Sequence, residues 1–124
     1  MKTKNLIAVL TIILTLFVFS CKKDGTGGKS SVKGTVKHHS VIIGNAVVYI
    51  KYGAKDFPGS DVSQYDASVS ADANGNYEIK NLLKGDYYLY GVGYDPNISA
   101  NVYGGVGIKL RRSESINTDV YVVE

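Results

Sequence analysis

The residues of this sequence that could do chemistry are few: one cysteine, two adjacent histidines, scattered acids and ten tyrosines. His38 and His39 are neighbours, and neighbours on a strand point to opposite faces, so they cannot share one site without a bulge. No cysteine or closely spaced acid completes a zinc set with them, and they read as a polar turn with no metal expected. Asp72, Asn74 and Asn76 alternate as calcium ligands do, but a twelve-residue loop counted from Asp72 needs a bidentate glutamate where Leu83 stands. A tight hairpin turn explains the same residues. Gly27-Gly28-Lys29-Ser30 matches the end of a phosphate-binding loop, yet that loop needs a glycine at position 23, where a lysine stands, and a strand and helix on its two sides. No catalytic residue is expected.

Aromatic residues offer a different chemistry. If Val48, Tyr87 and Leu89 face a core, then Tyr49, Tyr88 and Tyr90 face away from it, and aromatics exposed at strand spacing can bind sugar rings or protein. The bland alternative is a solvated sheet face, where tyrosine has good β-propensity. A second candidate is the stretch 53–65, with Asp56, Phe57, Pro58, Asp61 and Tyr65; a small enzyme or inhibitor would use it by bringing its acids together in a pocket.

The elements that must position these residues begin after residue 20. Lys2 and Lys4 precede an apolar run from Leu6 to Phe19, too short for the roughly 20 residues of a membrane span and matching a secretory signal. The run ends at Ser20-Cys21. Residues 1–20 are therefore read as a signal peptide and 21–31 as a flexible tether, since KKDGTGGKSS carries no large apolar side chain. Lys2 and Lys4 belong to the 14 basic residues set against 11 acidic ones, so the remainder sits near +1 and gives no electrostatic case for nucleic acid. A single cysteine excludes an internal disulfide, leaving packing to hold the fold.

From Val32 onward the sequence alternates with period two, is rich in β-branched residues and tyrosine, and carries turn signals about every ten residues. Strands are predicted at 31–38, 46–53, 66–71, 76–80, 86–94, 99–109 and 115–123. Seven strands without helices predict an all-β Greek-key sandwich over 32–124. Val32 and Val36, Ala46, Val48 and Ile50, and Val120 and Val122 should point inward.

Two resemblances add to this reading. Val18-Phe19-Ser20-Cys21 resembles the lipobox of bacterial lipoproteins in the looser form of Bacteroidetes, with Phe19 where a small residue is usual. The resemblance implies diacylglyceryl on Cys21, a membrane partner through that lipid, and an outer-membrane location in the cell envelope. Residues 75–89, with Gly75, Tyr77, Ile79, Leu82, Gly85, Tyr87 and Leu89 in rhythm, resemble the carboxypeptidase regulatory-like, transthyretin-like domain. The expected roles are structural: Gly75 in a turn, Tyr77 in the core, Leu82 plugging the corner between sheets, Gly85 turning the chain, and the Tyr87 hydroxyl bonded to backbone upstream as in a tyrosine corner. Such a domain implies a non-enzymatic binding or scaffolding role toward an envelope protein or glycan. Two catalytic relatives lose their signatures here. The chain ends Tyr121-Val122-Val123-Glu124 rather than in the Tyr-Arg-Gly-Ser of hydroxyisourate hydrolases. Lys33 with Asn117 or Asp119 would need the glutamate that pilin-like isopeptide domains carry where Gly91 stands.

Overall fold

A computed structural model describes residues 22–124, so the signal segment 1–20 and the lipidation site Cys21 lie outside the described residues. Almost every predicted strand is present. The elements are β1 Thr26–His38, β2 Val41–Ile42, β3 Val47–Tyr52, β4 Ala67–Ser70, β5 Asn76–Leu82, β6 Gly85–Asp95, β7 Ala100–Leu110, β8 Ser115–Asn117 and β9 Val120–Tyr121. A 3-10 turn at Val62–Gln64 is the one helical element among the described residues.

The strands form two sheets. In the first, β1 is central, with β5 and β2 antiparallel to it and β8 and β9 parallel to it. The second runs in the order β4-β3-β6-β7, entirely antiparallel. Alternation does the work the sequence predicts: Val32, Val36, Val48, Ile50, Leu89 and Val120 all turn inward and are fully buried between the sheets. The chain's end joins the layers, since after β9 residue Val123 exchanges two 2.8 Å backbone hydrogen bonds with Tyr103 of β7.

Four predictions need correction. The tether is shorter than 21–31, because β1 begins at Thr26 and Gly25 is already buried; with few apolar side chains of its own, this stretch is held by backbone hydrogen bonds to the 82–87 corner. The turn at 72–76 is not the hairpin of a single sheet. It closes locally, with Asp72 Oδ1 accepting from the amides of Asn74 and Asn76 at 2.8 and 2.9 Å, but β4 before it pairs with β3 and β5 after it pairs with β1. The strand predicted at 115–123 is broken in two because Thr118 presses its carbonyl against Gly34, where a Cβ would lie 1.9 Å away, and takes a hydrogen bond from the Tyr77 hydroxyl. Finally, the two-residue β2 and this break make nine strand segments among the described residues rather than seven.

Candidate functional site

Antiparallel pairing of β3 with β6 sets Tyr49 opposite Tyr90 and Lys51 opposite Tyr88. The partners of the inward residues Val48, Ile50 and Leu89 therefore alternate with a row of tyrosines on the outer face of the second sheet. That face is not bare. The loop after β3 folds back over it: the Phe57 ring lies 5.8 Å from Tyr88 and 5.5 Å from Tyr90, and Tyr65 stacks on Tyr90 at 5.6 Å and meets Tyr49 at 5.9 Å. Tyr90, clasped between the two loop rings, is 4% exposed, while Phe57 on the outside is 55% exposed. The tyrosine face and the 53–65 loop, separate candidates in the sequence, are thus one aromatic cluster. Each ring pair adds about 0.5–1.5 kcal/mol beyond the area it buries, enough to hold a loop that lacks strand partners.

The loop is seated by small local devices. Gly53 N donates to Asp86 O at 2.8 Å, and Asp66 closes the far end by accepting from Tyr52 N at 2.7 Å and pairing with Lys51. The Tyr65 hydroxyl donates to Gly59 O. On β7, Gly105 and Gly107 stand opposite Tyr90 and Tyr88, and their missing side chains leave room. A Cβ on Gly107 would sit 2.0 Å from the Lys55 carbonyl, and one on Gly105 2.6 Å from the Tyr88 ring. No sequence signal marked these glycines as loop seats, because the loop's path depends on the register of β6 against β7.

Electrostatics keep the phenols of the cluster neutral. Burial, helped by the neighbouring Tyr88 and Tyr90 phenols, pushes Tyr65 up to about 12, and burial raises Tyr88 and Tyr90 as well. These hydroxyls stay protonated at neutral pH and serve as hydrogen-bonding groups on apolar rings. The loop's acids do not converge. Asp61 accepts from Ser63 N and Oγ at the 3-10 turn, Asp66 faces Lys51, and Asp56 is exposed.

Tyr87 is fully buried, its hydroxyl donating to Leu83 O at 2.6 Å and accepting from Gly25 N at 2.8 Å. Gly75 holds φ +75 in the turn and Gly85 holds φ +151 against Asp24, while Leu82 and Tyr77 are buried. Lys33 and Asn117 are adjacent in register but exposed, and at Gly91 a Cβ would lie 2.9 Å from Val120 Cγ1, so no side-chain acid fits there.

The histidines divide. His39 turns outward with φ +55, as a polar turn requires, but His38 is 4% exposed and its Nδ1 lies 2.7 Å from Asp95 Oδ2, itself buried. Spacing gave no hint of this pair, which is 57 residues apart. Among the described residues no cluster of three metal-ligating side chains occurs.

No family model matches the chain, and no curated protein matches it. Among solved structures, it is similar to a candidate carbohydrate binding protein from Pseudomonas aeruginosa, with a TM-score of 0.55 at 11% identity, over 79% of this chain and 91% of that one. At that identity the likeness is one of fold: an all-β, two-sheet sandwich.

Proposed function

We propose that this protein is a non-enzymatic lipoprotein of the bacterial outer membrane, anchored by lipid on Cys21, whose sandwich is a glycan-binding module. We also read residues 32–124 as a carboxypeptidase regulatory-like domain; the Tyr87 corner and the two-sheet architecture support that reading. The observation that carries the binding role is the aromatic ledge in which Phe57, half exposed, rests on Tyr88 and Tyr90. A ring fixed from below loses little freedom when a sugar's apolar face lies on it, and flanking phenols supply hydrogen bonds to hydroxyls. The carbohydrate binding attributed to the Pseudomonas aeruginosa protein points the same way.

The test is a glycan array probed with the mature protein, followed by calorimetry on any ligand found. Phe57→Ala should weaken binding about tenfold, or about 1.4 kcal/mol, with an unchanged circular dichroism spectrum. Failure to bind any glycan, or binding indifferent to Phe57, defeats the proposal and leaves protein recognition as the role to pursue.

A further inference from the structure

Beside the start of β1 lies a cleft of about 490 Å³ walled by Lys22, Lys29, Lys84 and Arg112. No carboxylate lines it, and among the described residues none of the four cations forms an ion pair. Four like charges around one concavity repel each other, which an anion seated among them would relieve. The cleft owes its shape to the backbone: Thr26 and Ser30 both pair with Leu82, so Gly27, Gly28 and Lys29 bulge out between them. Gly28 lies so close to the Leu82 carbonyl that a Cβ would be 2.1 Å from it. Lys22 and Lys29 are near neighbours in the sequence, but Lys84 and Arg112 come from two distant parts of it, and only the fold brings these to the same cleft.

The cleft's position says which anion it meets. Asp24 N donates to Lys84 O at 2.9 Å, Gly25 N to the Tyr87 hydroxyl at 2.8 Å, and Leu83 N to Gly25 O at 2.8 Å, so the chain is fastened to the sandwich from Asp24 on. Only Lys22 and Lys23 separate that fastening from Cys21. Three Cα steps of about 3.8 Å give a greatest reach of about 11 Å. A free tether over 21–31 would have reached roughly 35 Å, well outside the field of a charged bilayer. At physiological salt that field decays over about 8 Å, so the short connection keeps the near end of the domain within roughly one to two decay lengths of the surface.

We propose that this cleft takes the phosphates of anionic lipid headgroups next to the anchor, so that the domain stands on the membrane in one orientation. The inference rests on the lipid-anchor reading of Cys21. Its test uses the mature lipoprotein purified from membranes, its mass measured, and placed in nanodiscs of phosphatidylcholine alone or with phosphatidylglycerol. Amide exchange at Gly27 to Ser30 should slow by about tenfold with phosphatidylglycerol, and high salt should abolish the difference. The double variant Lys84→Glu, Arg112→Glu should lose the effect while melting like the parent, since both side chains are exposed. Equal exchange in both discs overturns the proposal, as does equal protection from inorganic phosphate in phosphatidylcholine discs, which marks a free-phosphate site. A mass without diacylglyceryl overturns the anchor reading itself, and this inference with it.

Discussion

Tyr87→Phe isolates the joint on which the N-terminal end of the domain depends. The substitution keeps the ring, which is fully buried and meets Tyr52 edge-on at 5.8 Å, and removes only the hydroxyl. Two hydrogen bonds go: one donated to Leu83 O at 2.6 Å and one accepted from Gly25 N at 2.8 Å. A typical intramolecular hydrogen bond contributes about 1 kcal/mol net, and a buried N–H left without a partner costs roughly 1–3 kcal/mol. The summed loss is about 2–3 kcal/mol, a large part of the 5–15 kcal/mol that holds a domain of this size. At about 4–8 °C per kcal/mol, the melting temperature should fall by about 8–24 °C. Urea unfolding followed by circular dichroism gives the magnitude, and native-state amide exchange gives the location. Gly25 and Leu83 amides should exchange faster before the β6 and β7 amides change, because the fastening opens locally first. A loss below about 0.5 kcal/mol would refute the assignment of the hydroxyl as the joint, and so would a large loss with no local acceleration at Gly25.

Three other outcomes test the remaining parts. Gly107→Ala pushes a Cβ to within 2.0 Å of the Lys55 carbonyl, so the loop must lift from the sheet at a cost of about 1–3 kcal/mol; trypsin should then cut after Lys55 faster than in the parent, and an unchanged rate counts against the seating described. The His38 hydrogen bond holds the Asp95 carboxyl below its ordinary value of 3.8. A carboxylate with a depressed folded-state pKa lends stability that is complete above the ordinary value and drains away as pH falls below it, so Asp95→Asn should flatten that acid limb of a stability-versus-pH curve. Tyr65 should ionise near pH 12 in ultraviolet titration, and since it ionises near 10.0 when unfolded, the stability from its neutral form should fall as pH rises from 10.0 toward 12.

What the sequence made legible follows from how far each interaction reaches along it. Alternation is local, so the inward set of Val48, Ile50 and Leu89 and the outward set of Tyr49, Tyr88 and Tyr90 could both be read directly. The Tyr87 corner was legible because its acceptor, Leu83, is four residues away. Partnerships across the fold were not. Tyr90 looked exposed because nothing local shows that Phe57 and Tyr65 will fold over it, and the loop's seat depends on Gly107, which is 52 positions after Lys55. From sequence the tether reads as free because its glycines and lysines bury nothing themselves. Its stability comes from the backbone bonds that Asp24 and Gly25 make to Lys84 and Tyr87, some 60 residues on. The same distance hid His38 from Asp95 and scattered the cations of the basic cleft.

The aromatic ledge and the N-terminal fastening meet at one residue, and that bears on how an anchored module would present its ligand surface. Asp86 N donates to Asp24 Oδ1 at 2.8 Å, and Asp86 O accepts from Gly53 N, the first residue of the ledge loop, at 2.8 Å. Tyr52, the last residue of β3, packs its ring against Gly25 on one side and Tyr87 on the other. The root of the loop is therefore braced through Asp86 by the segment that begins at Asp24. A ledge on a mobile stalk would sample every angle to the membrane. Tied through Asp86 to the N-terminal segment, this ledge is held against the end of the domain that carries Lys22, Lys84 and Arg112, so whatever orients that end would also aim Phe57 and Tyr88.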